Sequence, residues 1–285
     1  MLYIGIIAKS AAMKEVHVAI PDSLLMEDRD LRDRTVKVGF VARALAIFRV
    51  ERVYIFSDPV ERMDESESFF ISELLQYIET PQYLRKRLYP LRPELKYAGL
   101  MPPLKIPSHK KEQKLVDGEY REGVVEQSRD AKTVFVGVDK NIRFIGNAGN
   151  GTRVTVRIKK EGDAFSAIQV KKKEVPEYWG YVVRREKNIL QLCRSYEFSI
   201  VTSRLGEKIE ERWDSIKKAC SSSNSALIVF GAPKRGLLEM FPKEKWKKVT
   251  EYIINTIPNQ GVETVRTEEA LLATLEAVTL AANLQ

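Results

Sequence analysis

The sequence predicts an α/β protein built on a parallel sheet and interrupted in its middle by a small β-barrel of the OB type. Three observations carry that expectation. Strand-like and helical periodicities alternate over the first 80 residues, five short strand-like runs follow, and the α/β pattern resumes at Tyr181. Because α/β sequence flanks the short strands on both sides, they read as an insertion. This divides the chain into an α/β domain over 1–97 and 181–285 and an inserted barrel over 98–180.

In order, Tyr3–Ala8, Val16–Ile20 and Val53–Phe56 are short apolar runs with the length of buried strands. No basic residue precedes the first run, which reads as a strand and not as a signal peptide. Between the second and third, Leu31–Val50 repeats its apolar residues at helical spacing. Asp30 and Asp33 stand near its start and Arg49 and Arg52 at its end, matching the helix dipole. A second helix is expected over Ser68–Ile78, stopped by Thr80-Pro81. Five prolines then make Arg85–Pro107 a linker or shaped loop.

The barrel strands are Gly123–Glu126, Thr133–Val138, Ile142–Ile145, Thr152–Ile158 and Phe165–Val170, with Gly and Asn dense in the turn Gly146–Gly151. Beyond Tyr181, Phe198–Thr202 and Ala226–Phe230 read as strands and Gly206–Cys220 as an amphipathic helix. Thr250–Ile257 is a further strand candidate, and Thr267–Leu284 a closing helix with Thr267 as its N-cap.

Composition excludes several classes. Hydrophobic residues at 44% and charged residues at 30% suit a packed fold and argue against disorder. No apolar run approaches the roughly 20 residues that cross a bilayer, so no membrane association is expected and the cytoplasm is the default compartment. Two cysteines without a CxxC and two distant histidines give no metal site and no disulfide framework. The net charge is +8. Its excess is greatest in 100–180, with 16 basic against 11 acidic residues, whereas 1–99 balances at 15 each. A polyanion is therefore expected at the barrel.

Two loops invite chemistry. An apolar strand runs into Gly231, and Gly236 follows five residues later with Pro233 between, so backbone can approach a ligand where side chains are missing. Such loops at the carboxyl ends of strands form the usual crevice of open α/β sheets. Lys234 precedes the second glycine, which excludes a phosphate-binding P-loop. The second loop, Ile254–Ala270, crowds turn-forming and amide residues in front of the closing helix. Taken alone, each loop is equally a glycine-bounded turn.

Together they resemble the SPOUT class of RNA methyltransferases, and more closely its branch with an OB-like insertion. The resemblance rests on Gly231-Ala-Pro-Lys-Arg-Gly-Leu237 and, about twenty residues on, Ile257-Pro-Asn-Gln-Gly261 before a helix. Val18–Asp22, Tyr83–Leu88, Leu100–Lys105, Tyr120–Gly123 and Val201–Gly206 support it, so it spans nearly the whole chain. It implies a trefoil-knotted α/β fold, a homodimer and S-adenosylmethionine as cofactor. The implied cofactor contacts are Thr202, Gly231, Gly236, Leu237, Ile257, Asn259, Gly261, Thr267 and Ala270. One step departs from the class: Val265-Arg-Thr stands where many members have Ser-Leu-Asn.

The implied reaction is methylation of RNA, with uridine N3 of a large ribosomal RNA as target. The N3 proton must leave, which calls for a base or for a cation that stabilises the anion. Arg34 and Arg204 are the catalytic candidates, and each equally suits a solvated or dipole-compensating role. For RNA binding the candidates are Arg121, Lys132, Arg143, Arg153, Arg157, Lys159 and Lys160, interleaved with Tyr120, Phe135, Phe144 and Phe165. Lys171–Lys173 is a further cationic run. The alternative is a non-catalytic RNA-binding or ribosome-assembly factor on the same fold. A nucleotide-binding enzyme is disfavoured by the lack of Walker and GxGxxG signatures.

Overall fold

The computed structural model describes residues 15–61, 65–127 and 131–283. The strand expected at Tyr3–Ala8 lies outside the described residues. Six strands form one sheet in which every pairing is parallel: β1 (Glu15–Pro21), β2 (Arg52–Phe56), β8 (Val182–Glu186), β9 (Phe198–Lys208), β10 (Ser225–Val229) and β11 (Tyr252–Asn255), in the order β11-β9-β10-β1-β2-β8. Strands alternate their side chains, so the two faces bury different sets. Val18, Ile20, Val53, Ile55, Ile200 and Ile228 meet α1 (Leu31–Ile47), α2 (Glu65–Glu79), α5 (Trp213–Ser222) and α8 (Thr267–Asn283). Ala19, Tyr54, Phe56, Val201, Leu227 and Val229 meet α4 (Ile189–Arg194), α6 (Leu237–Met240) and α7 (Lys243–Lys247). Parallel strands covered on both faces read as continuous apolar runs, which explains why β1 and β10 stand out in the sequence.

The five expected short strands are β3 (Tyr120–Gln127), β4 (Lys132–Phe135), β5 (Ile142–Ile145), β6 (Arg153–Glu161) and β7 (Ala164–Val170). They close as β3-β4-β5-β7-β6 around Val125, Val134, Val136, Phe144, Val156, Ile158 and Ala167. The proline-rich segment is more structured than a linker. Its first residues complete α3 (Gln82–Leu88), and Met101, Leu104 and Ile106 are buried in the α/β core, tight enough that a Cβ on Gly39 would stand 2.9 Å from Pro102 Cδ.

Barrel and sheet are locked by a buried polar network. Glu122 of β3, 4% exposed, accepts from Arg153 Nε at 2.6 Å, Thr155 Oγ1 at 2.6 Å and Trp179 Nε1 at 2.6 Å. The same Arg153 reaches Glu79 of α2 at 2.7 Å. Tyr83 of α3 donates to the Glu122 carbonyl at 2.9 Å, and its ring stands where a Cβ on Gly137 would collide. A buried charge pair with every oxygen engaged fixes geometry more than it adds stability.

One expectation fails. Gly206–Cys220 is not a single helix. β9 continues to Lys208, a 3-10 turn covers Ile209–Arg212, and α5 begins only at Trp213. The cause is long-range: Ile254 and Asn255 of β11 pair with Glu207 and Lys208, and this ladder overrides local helical periodicity.

Candidate active site

A cleft of about 240 Å³ opens at the carboxyl ends of β9, β10 and β11. It is formed by a kink in β9, the loop from β10 to α6, and the loop from β11 to α8. The kink is a looped-out stretch. Val201 pairs with Ile253 and Glu207 with Ile254, so the residues between, Thr202–Gly206, have no opposite number on β11. A Cβ on Gly206 would lie 2.5 Å from Ile253 O, so only glycine lets the two backbones close the neck of this excursion. Its residues are held individually. Thr202 Oγ1 donates to Val229 O at 2.9 Å, Leu205 N to Ser203 Oγ at 3.2 Å, Asn255 Nδ2 to Arg204 O at 3.2 Å, and Arg204 donates to Glu263 O at 2.9 Å.

The second wall turns tightly. Ala232 N donates to Arg235 O at 3.0 Å and Gly236 N to Glu239 Oε2 at 3.3 Å. A Cβ on Gly231 would come within 3.1 Å of Leu237 N and 3.2 Å of Arg235 O. Thr267 is the first residue of α8, and its hydroxyl donates to Gly231 O at 3.0 Å instead of capping its own helix. Asn259 takes a positive φ of 58°, which asparagine tolerates, to turn the third wall.

Of the residues implied as cofactor contacts, Thr202, Gly231, Gly236, Ile257, Thr267 and Ala270 line this cleft. Leu237, Asn259 and Gly261 do not. Leu237 is fully buried beneath it, its carbonyl accepting from Trp246 Nε1 at 2.9 Å. Arg204 lines the cleft, whereas Arg34 sits outside it, paired with Glu67 and stacked 4.7 Å from the Phe70 ring centre. Ser203, Leu205 and Asn255 also line the cleft without having been singled out.

Beside the cleft, at the ends of β1 and β2, lies a second acidic cluster. Asp22, 2% exposed, accepts from Asp58 N at 2.9 Å, and Ser23 Oγ donates to Asp58 Oδ2 at 2.6 Å. Burial pushes the Asp22 carboxyl up to about 6. Asp58 in turn caps the turn that carries Glu61, and Glu61 meets Arg235 of the cleft loop at 2.8 Å. Thus β1 and β2 brace the β10 loop from behind. Burial raises the thiols of Cys193 to about 12 and of Cys220 to about 11, which disfavours the thiolate form of both. Among the described residues no group of three or more His, Cys, Asp or Glu is placed to hold a metal, and no helix is long and apolar enough to cross a membrane.

The barrel sorts its cations. Arg121, 1% exposed, is committed to Glu119 and to three backbone carbonyls. Arg153 belongs to the Glu79–Glu122 network, and Lys172 reaches Glu79 at 3.4 Å. Lys132 lies 5.6 Å from the Phe144 ring. Arg143, Arg157, Lys159 and Lys160 are exposed. The register sets Arg143 beside Ser166 and Ser166 beside Lys159, which places those two cations on one outer row.

Fold and cleft define a parallel α/β protein with a cleft at the carboxyl edge of its sheet and a barrel carrying exposed cations. Residues 15–278 match the family described as "Putative RNA methyltransferase", and the chain belongs to that family. It is 32% identical to an uncharacterised protein of Haloarcula marismortui, over 92% of this chain and 98% of that one. It is also similar to proteins named 28S rRNA (uridine-N(3))-methyltransferase. The human one is 32% identical over 92% of this chain and 77% of its own length, and the one from Drosophila melanogaster 30% identical over 92% and 61%.

Proposed function

We propose that this protein transfers a methyl group from S-adenosylmethionine to N3 of a uridine in a large ribosomal RNA. The observation that carries the reading is the cleft itself, which gathers six of the nine implied cofactor contacts at the carboxyl edge of a parallel sheet in a member of an RNA methyltransferase family. Small residues, among them Thr202, Gly231, Ala232, Gly236, Thr267 and Ala270, form part of its walls, and a Cβ on Gly231 would press on the backbone at Leu237 N and Arg235 O, as suits a site that grips a ligand through main-chain groups. Thr202, Gly231, Gly236, Ile257, Thr267 and Ala270 would hold the cofactor, which supplies an electrophilic methyl group when bound. Uridine N3 is the target printed in the names of the human and fly relatives.

On the acceptor side, the N3 proton leaves as the new bond to carbon forms. Among the described residues the carboxylates lining the cleft, Glu239 and Glu263, are exposed and not buried in the way a tuned base would be. In this reading Arg204, which is exposed, lines the cleft and is tied to Glu263 O, is the catalytic residue that stabilises the uridine anion. Arg34, tied to Glu67, acts at a distance if at all. The barrel, closed in the order β3-β4-β5-β7-β6 and read here as OB-like, holds the RNA in this reading through Lys132, Arg143, Arg157, Lys159 and Lys160. The reading further includes a trefoil knot around the cleft, a homodimer, a cytoplasmic location, and division into domains 1–97 with 181–285 and 98–180.

Incubation with methyl-labelled cofactor and unmodified large-subunit ribosomal RNA, followed by nucleoside analysis, tests the reaction. Label recovered as 3-methyluridine supports it. Calorimetry separates the alternative: no heat with S-adenosylmethionine, together with retained RNA binding, would point to an assembly factor that does no chemistry.

A further inference from the structure

The β9 excursion presents an exposed apolar side chain at the rim of the cleft. Leu205 is 66% exposed and Val262, on the neighbouring loop, 58%, although both stand on segments pinned by hydrogen bonds. Single exposed aliphatic residues are ordinary on mobile surface. Here the backbone is fixed from both sides: Leu205 N bonds Ser203 Oγ, Arg204 is held at its carbonyl and its guanidinium, and Gln260 Nε2 clasps the carbonyls of Val262 and Glu263 at 2.8 and 3.0 Å. Arg204 joins the two loops directly through Glu263 O. Two cations on the same rim, Lys234 and Arg204, are exposed and meet no carboxylate among the described residues.

We propose that Leu205 and Val262 form the platform on which the acceptor base is seated, with Lys234 and Arg204 facing the nucleotide's anionic oxygens. The proposal rests on the methyl-transfer reading above and adds to it the residues that hold the acceptor. The chemistry fits one occupant. A flat, weakly polar base covers an aliphatic shelf without needing hydrogen bonds from it, while the flanking phosphate needs cations that no internal carboxylate neutralises. Preorganisation by the pinned backbone means that the shelf loses little entropy when it is covered. Leu205 on the rim and the glycine cradle inside thereby divide the cleft between acceptor and donor.

The test is steady-state methylation of unmodified large-subunit ribosomal RNA by Leu205→Ala, Leu205→Met and, as a control away from the cleft, Leu91→Ala, whose side chain is also fully exposed. Leu205→Ala is expected to raise KM for RNA about tenfold, in line with one lost base contact. S-adenosylmethionine affinity should not change. Leu205→Met should restore most of the loss, and Leu91→Ala should behave as wild type. Weakened cofactor affinity with unchanged KM for RNA would overturn the proposal by placing Leu205 in the donor wall. A shift of Leu205→Ala to a smaller species in sedimentation would overturn it in favour of an interface between copies. If the wild-type protein binds RNA but transfers no methyl, the methyl-transfer reading fails by itself. The platform is then judged on RNA affinity, which Leu205→Ala must still lower.

Discussion

Single atoms decide the behaviour of two residues near the cleft. At Gly231 a methyl group would press on Leu237 N at 3.1 Å and Arg235 O at 3.2 Å, both backbone atoms of the loop that walls the cleft. Gly231→Ala is therefore expected to weaken S-adenosylmethionine roughly tenfold, about 1.4 kcal/mol, through displacement of the β10 loop. Its thermal midpoint should move by only a few degrees, and calorimetry beside a melting curve checks both. Asp22 is the second case. Its carboxyl is held up at about 6 by burial, against an ordinary value of 3.8, so the folded state binds the proton more tightly than the unfolded chain does. The resulting stabilisation is complete below about pH 4 and is lost as pH rises through 6. Asp22→Asn should gain on the wild type across that window by about 3 kcal/mol at most, from two units at about 1.4 kcal/mol each. Urea unfolding at pH 4 and pH 7.5 would show it, and an unchanged difference between the two pH values would refute the buried-acid account.

Among the elements, β3 and β9 do the work that neighbouring sequence cannot announce. Glu122 of β3 collects three donors across the junction, so Glu122→Ala leaves Arg153, Thr155 and Trp179 without their acceptor. Loss of one partner from a buried charge network costs about 3–5 kcal/mol. That loss is expected in denaturant unfolding, whereas reversal of the exposed Lys160 should cost almost nothing. The barrel strands were readable because β-branched residues alternate between glycine turns, and β1 and β10 because strands covered on both faces must be apolar throughout. β8 was not, because Val182–Glu186 is a short edge strand whose Arg184 and Arg185 mask any periodicity. The extension of β9 was illegible for a different reason: its partner is β11, 47 residues further on from Glu207 to Ile254, and no local pattern encodes that pairing. Ser203 and Leu205 lie in the quoted stretch Val201–Gly206 but carry no local mark of a site, whereas Gly231, Gly236 and Thr267 are visible because glycines and helix starts leave such marks. Likewise, Arg121 and Arg153 read as surface cations until burial and partners were known.

For the whole molecule, charge and connectivity set the expectations. The outer barrel cations Arg143, Arg157 and Lys160 are exposed with no carboxylate partner among the described residues, and Lys159 is exposed beside Glu161 at 3.2 Å, so RNA affinity should fall steeply with salt. Reversing Arg143 and Lys159 together should flatten that slope by roughly two released ions, as read from filter binding over a salt series. An affinity indifferent to ionic strength would count against a phosphate-led mode.

Connectivity has a consequence for how the chain is made. Glu15 of β1 pairs with Ser225 of β10, so the middle of the sheet joins segments 210 residues apart, while every barrel strand lies between 120 and 170. On the ribosome the barrel can close while β10 and β11 are still unsynthesised, whereas β1 must wait with one edge open until nearly the whole chain has emerged. Long-range parallel pairing is slow to form and leaves sticky edges in the meantime. Pulsed hydrogen exchange during refolding should find amides of β3 and β6 protected before those of β1, and stalled nascent chains ending near residue 200 should carry a folded barrel beside an unfinished, chaperone-dependent sheet.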